Sequence, residues 1–218
     1  MTMEFGAIFD MDGVLVDSHD IIWACHNKAL APLGVQLSEA DIKRYTGRSF
    51  RDLTSGLNEQ YGLTLNSTSL AQASWALQRS MLEKIEADSA LVALLTELKA
   101  HNVPMGVGTS SQRFRVEQIV GILNLNPYFP VLVTADDVQK HKPHPDVFLE
   151  VARRIGMAPE RCVVFEDAVN GVISARNSRA YCIAVANSFS EKELKYADLV
   201  VNSLKDINVN LIALIGAL

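Results

Sequence analysis

Short, nearly all-apolar runs recur along the chain, each followed by a longer segment with helical spacing. Strands are predicted at "GAIFD" (6–10), "VPMGVGT" (103–109), "PVLVTA" (130–135), "RCVVFED" (161–167), "AYCIAVA" (180–186) and "ADLVV" (197–201). These runs do not alternate apolar with polar residues, which suits strands covered on both faces. Helical spacing of apolar residues predicts helices at 91–101, 113–123, 145–156 and 168–177. Strand alternating with helix predicts an α/β fold, a doubly wound, Rossmann-like parallel sheet.

The rhythm breaks once. From about residue 18 to 86 no strand pattern appears, and helix-like stretches occupy 18–33, 38–45, 49–61 and 67–86. Gly34, Gly47 and Gly62 punctuate them, and Ser38 (with Asp41) and Ser67 are the predicted N-caps. This reads as an inserted α-helical cap domain, residues 17–86, within a core built from 1–16 and 87–218, with linkers near 14–17 and 86–90. The apolar segment 207–218 is too short to span a bilayer and predicts a docked terminal helix.

Composition narrows the classes. Hydrophobic residues make up 49% of 218, enough for a sizeable core, and the net charge of −5 argues against nucleic acid or an anionic membrane as partner. Cys25, Cys162 and Cys182 are widely spaced among apolar neighbours, which predicts reduced core thiols in a cytoplasmic protein. "MTMEFGAIFD" does not have the pattern of a signal peptide.

In an open α/β sheet, sites form beyond the carboxyl ends of the strands. There the sequence puts Asp10 and Asp12 after the first strand, Thr109, Ser110 and Ser111 after the second, and Glu166 and Asp167 at the fourth. The loop after the third strand carries Lys142. Grouped carboxylates repel, and a Mg²⁺ ion would relieve that repulsion with hard oxygen ligands. Thr109 with the N–H groups after it, and Lys142 as a point charge, suit phosphoryl oxygens. One carboxylate could then attack phosphorus and another move protons.

"DMDGVLVDS", "GTSS", "KPHPD" and "FEDAVNG", in that order, resemble the haloacid dehalogenase superfamily, in its phosphatase branch with a helical cap after the first strand. That branch includes β-phosphoglucomutase. The resemblance implies Asp10 as nucleophile, Asp12 as general acid/base and, through its backbone carbonyl, a metal ligand. It implies Asp167 as metal ligand with Glu166 as a second or outer one, Thr109 as phosphate-binding hydroxyl, Lys142 as neutralising lysine, and Mg²⁺ as cofactor. Gly13 would permit the turn that returns Asp12 towards the site. An aspartate at position 12 speaks against dehalogenase or phosphonate-cleaving chemistry.

The cap departs from the mutase. Ile22, Thr46 and Phe50 stand where the mutase has its histidine, lysine and arginine, so water is the expected phosphoryl acceptor. Arg48, Arg51, His19 and Trp23 are the candidate substrate contacts from the cap, beside Ser110 in the core, while Trp75 is expected in the core of the cap and Asp17 as a brace of the linker. The expected activity is a Mg²⁺-dependent phosphatase of a small phosphorylated metabolite, a sugar or polyol phosphate, working through an aspartyl phosphate. A monomer is adequate for it. A hexose-phosphate mutase is the alternative. A phospho-accepting receiver, with Asp136 or Asp137 as its acceptor, is a remote one.

Overall fold

The structure, a computed structural model, describes residues 5–215. β1 (Gly6–Phe9) is followed by α1 (His19–Leu30), α2 (Glu39–Tyr45), α3 (Phe50–Tyr61) and α4 (Ser67–Leu82). Alternation then begins with α5 (Ser89–Ala100), β2 (Met105–Gly108), α6 (Arg113–Ile122), β3 (Val131–Val133) and α7 (Asp146–Arg154). It continues through β4 (Cys162–Glu166), α8 (Val169–Ser178), β5 (Tyr181–Val185), β6 (Leu199–Val201) and α9 (Val209–Ile215).

Among the described residues these strands form one sheet, ordered β3-β2-β1-β4-β5-β6, with every pair parallel. The chain steps outward from β1 to β3, then returns to β4 on the other side of β1. This reversal leaves a crevice beyond the carboxyl ends of β1 and β4. Successive strand residues face opposite layers. Ala7, Phe9, Val163 and Phe165 join one buried cluster with residues of α5, α6 and α9; Ile8, Cys162 and Val164 join the other, with α7 and α8. Phe9 stacks on Phe165 at 4.5 Å between ring centroids. All three cysteines are free and buried.

The helical insert, called the cap below, has a small core of its own that includes Trp23, Leu30, Tyr45, Leu53, Leu57 and Leu70. Capping boxes start two of its helices, Ser38 with Asp41 and Ser49 with Asp52. The N-cap of α4 is Asn66 rather than Ser67: its extended backbone turns the side chain onto the Ser69 N–H at 3.0 Å, so Ser67 is already helical. Trp75 is not in the core of the cap. It packs with Leu82 in the cluster under the sheet, and its indole N–H donates to Gln118 on α6 at 3.2 Å. At sixteen residues, about 24 Å long, α4 outruns α1 and its second half comes to rest on the core.

The first linker is shorter than expected. Val14, Leu15 and Val16 are buried in the main core, and the Gly13 N–H donates to the Val16 carbonyl at 2.8 Å, closing a tight loop. Asp17 is exposed, and the bracing contact falls to Ser18, whose hydroxyl donates to Asp12 at 2.6 Å. Ile212 and Ile215 of α9 are buried, while residues 216–218 of the predicted terminal helix lie outside the described residues. Among the described residues no helix is long and apolar enough to cross a membrane.

Candidate active site

Asp10 follows β1 directly, and its N–H still donates to the Phe165 carbonyl of β4 at 2.9 Å. It therefore stands beside the end of β4, where Glu166 closes the strand and Asp167 follows. Lys142 reaches them from the loop before α7, its ammonium donating to Asp10 Oδ1 and Glu166 Oε1 at 2.8 Å each. The lysine side chain is only 1% exposed, so three acids and one base are buried together.

Burial dominates their acidity. It raises the Asp10 carboxyl to about 7, with Lys142 pulling the other way and Glu166 adding to the rise. Burial, then the charges of Glu166 and Asp10, push Asp167 well above the usual carboxylate range. Glu166 is held from two sides: Lys142 on Oε1, and the N–H groups of Asp167 and Ala168 on Oε2 at 2.8 and 2.7 Å.

Asp10, Glu166 and Asp167 can each offer an oxygen within 4.8 Å of the others. Hard, anionic oxygens at that spacing fit Mg²⁺. Because Glu166 already has three donors, Asp10 and Asp167 are the residues that could grip the metal, with Glu166 behind them. Gly13 makes the packing possible. Its φ is +82°, and a Cβ there would fall on the Asp167 carboxylate, which also accepts a hydrogen bond from Ser188.

The Asp12 side chain stands apart from this cluster. The Arg115 guanidinium grips it with two bonds of 2.7 and 2.8 Å, and the Ser18 and Ser111 hydroxyls donate to it at 2.6 and 3.0 Å. Burial acts to raise its pKa, but the Arg115 charge and these hydrogen bonds hold it below the usual value. With both oxygens so occupied, the carboxylate is not a metal ligand in this arrangement.

Thr109 is buried and faces the cavity, its Oγ1 accepting the Ser111 N–H at 3.2 Å. Ser110 also borders the cavity, but its hydroxyl donates to the Gly47 carbonyl at 2.9 Å and so ties the cap to the core. Thr109 to Ser111 do not cap α6. Its N-cap is Gln112, and the Arg113 N–H donates to Asp136 at 2.8 Å. Asp137 is committed to Thr134, Arg113 and Arg154, a structural role that removes it as a phosphate acceptor.

Cap and core line a shared cavity of about 90 Å³ that opens to solvent. His19, Ile22, Trp23, Arg48 and Phe50 face it from the cap. Arg51 does not: it is exposed and outside the lining. Consecutive helical residues point about 100° apart, so with Phe50 turned inward Arg51 is carried away. Among the lining residues that escaped the sequence reading are His26, Gln78, Arg115 and Ser188. His26 had a signal, since 19, 22, 23 and 26 follow one helical face. Arg115 had none that separates it from Arg113. Burial, with the Arg115 charge adding, drives the His26 pKa down to about 3, so the ring is neutral.

The site defines a class. The family model described as haloacid dehalogenase-like hydrolase matches residues 7–185, and the chain belongs to that family. It is similar to hexitol phosphatase A of Escherichia coli (strain K12), at 33% identity over 214 residues, 94% of this chain and 93% of that protein. It is also similar to fructose-1-phosphate phosphatase YqaB of the same organism, at 34% identity over 171 residues, 78% and 90% of the two chains. Among solved structures, β-phosphoglucomutase from Clostridium difficile superposes with a TM-score of 0.87 at 22% identity, covering 99% of this chain and 98% of that one, a likeness of fold. The protein is a phosphomonoesterase of this family.

Proposed function

We propose that the enzyme hydrolyses the phosphate ester of a small sugar or polyol through an aspartyl phosphate on Asp10. The observation that carries this is the Lys142 ammonium set between Asp10 and Glu166, with Asp167 alongside, at the floor of a cavity roofed by the cap. Mg²⁺ held by Asp10 and Asp167 would neutralise phosphoryl oxygens and align the ester for in-line attack. Asp10 attacks phosphorus and forms the acyl phosphate as the ester oxygen leaves. Lys142 and the Thr109 hydroxyl hold phosphoryl oxygens. Asp12, which must first take up a proton against the pull of Arg115, gives it to the leaving oxygen and regains one from the water that cleaves the acyl phosphate and frees Asp10.

The cavity supports a small substrate, since cap and core are hydrogen-bonded across it. Trp23 and Phe50 offer flat apolar surface, with His19 and Arg48 as polar contacts, a lining that suits a polyhydroxylated chain. The names of the two phosphatase relatives agree with this class. Thr46 and Phe50 supply no charge for a second phosphate, which favours water over a sugar hydroxyl as acceptor. Three free cysteines suit a reducing compartment, the cytoplasm. One chain supplies every residue named, so a monomer suffices.

Phosphate release from a panel of sugar, polyol and aryl phosphates tests the reading, with Mg²⁺ and with chelator. Release that needs Mg²⁺ and vanishes in Asp10→Asn is expected. No release from any ester by folded protein with Mg²⁺ would overturn it, as would full activity in Asp10→Asn.

A further inference from the structure

A line of hydrogen bonds runs from the Arg115 guanidinium into the cap and ends on His26, and the steps above leave it unused. Arg115 Nε–H donates to Gln78 Oε1, on α4, at 3.1 Å. Gln78 Nε2 donates to the Ser74 hydroxyl oxygen, one turn back, at 2.8 Å. Ser74 Oγ lies 2.7 Å from His26 Nδ1, on α1. All four side chains are buried. A guanidinium can only donate, so it fixes which end of the Gln78 amide faces it, and the other end donates in turn. Ser74, having accepted, has its own proton left to give, and among the described residues Nδ1 is the acceptor beside it. Nδ1 is therefore bare, and the imidazole carries its hydrogen on Nε2. The low His26 pKa agrees with a ring that takes up no second proton.

That Nε2–H has no acceptor among the described residues. The buried polar side-chain atoms left without a partner there are Tyr45 Oη, Gln112 Oε1 and His141 Nε2, so His26 Nε2, also unpartnered, is not sealed from solvent. The residue is only 4% exposed and borders the cavity, so the access it has is to the cavity. Trp23 and Phe50, on the same lining, stand edge-to-face with it at 5.1 and 4.6 Å between ring centroids. Between such apolar walls an N–H without an acceptor is costly. The phosphoryl site lies on the core, at Asp10 and Lys142, whereas His26 belongs to the cap. The part of the substrate that His26 faces is the alcohol.

We propose that His26 is a specificity residue: its Nε2–H, given its direction by the donor-only guanidinium at the far end of the line, donates to a hydroxyl oxygen of the sugar or polyol. The inference rests on the substrate class proposed above. A hydroxyl satisfies the N–H. A hydrogen atom in its place leaves the N–H buried and unpaired, and the loss appears as discrimination against the deoxy compound.

The test compares two esters by phosphate release. One is fructose 1-phosphate or sorbitol 6-phosphate, whichever is turned over faster; the other is phenyl phosphate, which has no hydroxyl. His26→Phe keeps a ring and removes the donor. It should lower kcat/KM about tenfold on the hydroxylated ester and leave phenyl phosphate within about twofold. Ser74→Ala keeps the imidazole and frees its tautomer. It should shift the ratio between the esters about threefold in the same direction, and it carries the test if His26→Phe fails to fold. Among monodeoxy analogues of the hydroxylated ester, one should lose about tenfold with wild type and nothing further with His26→Phe. Equal slowing of both esters, or deoxy losses that add to that of His26→Phe at every position, would overturn the inference. If wild type turns over phenyl phosphate but neither hydroxylated ester, the substrate class fails, and the inference with it. If wild type turns over the hydroxylated ester and neither variant moves the ratio, only the role of His26 fails.

Discussion

Replacing Lys142 by methionine keeps the unbranched apolar stem of a buried side chain and removes its charged end. At an effective dielectric constant of about 20, each 2.8 Å contact to Asp10 and Glu166 is a gross attraction of about 6 kcal/mol. Most of that is offset by the cost of taking the three ions out of water. What the substitution leaves is a set of buried carboxylates without a counter-charge, and breaking such a pair costs about 3–5 kcal/mol. The acids can relieve it by taking up protons. Asp10, already raised to about 7 with the lysine present, would rise further and stand neutral at pH 7, unable to attack. For a chain of 218 residues each kcal/mol moves the melting temperature by about 2–4 °C, so a drop of about 6–20 °C is expected in chelator. Mg²⁺ should recover part of the stability and little of the activity. Thermal unfolding with chelator and with Mg²⁺, beside phosphate release at pH 7, reads both effects. A variant that melts within about 2 °C of wild type and still turns over ester would refute the account of Lys142 as the counter-charge of this cluster.

Metal affinity should depend on pH. The folded state keeps a proton on Asp10 up to about 7 that the unfolded chain sheds near 3.8, so this group destabilises the metal-free fold progressively as pH rises between those values. Mg²⁺ must displace that proton, and its affinity by calorimetry should weaken as pH falls below about 7, with proton release on binding. His26, at about 3 against an ordinary 6.5, favours the fold as pH rises through that range, so metal affinity is a cleaner readout than melting. Gly13→Ala should cost about 1–2 kcal/mol for its left-handed backbone. Because its Cβ would also displace Asp167, weaker Mg²⁺ binding in titrations should accompany the lower melting temperature. Arg48→Ala should lower kcat/KM about tenfold or more, as for a lost hydrogen bond to a charged group, while Arg51→Ala should leave steady-state kinetics within about twofold.

Much of the fold was readable because its signals are local. Buried parallel strands need unbroken apolar runs, helices need a repeat near 3.6, and both are written in consecutive residues. The four core motifs were readable for a related reason: each sits where a strand ends, and the topology of a doubly wound sheet gathers strand ends at one rim. Asp10, Lys142, Glu166 and Asp167 therefore came together as their places along the chain implied. The cap was harder. Its helices were legible, but whether Arg51 turns inward depends on the rotation of α3, whose first residue, Phe50, faces the cavity.

By itself, then, the sequence determined the order of elements, the break that holds the cap, and a rim of carboxylates, hydroxyl and lysine suited to phosphoryl transfer. Tertiary structure alone decided how the Asp12 carboxylate is held. Asp12 and Arg115 lie 103 positions apart, Arg115 and Gln78 37. No periodicity links such pairs. Gln78 reaches Arg115 only because α4 is long enough to cross from the cap onto α6, and Asp12 and Gln78 share that guanidinium because a buried one must find an acceptor for each N–H it takes out of water.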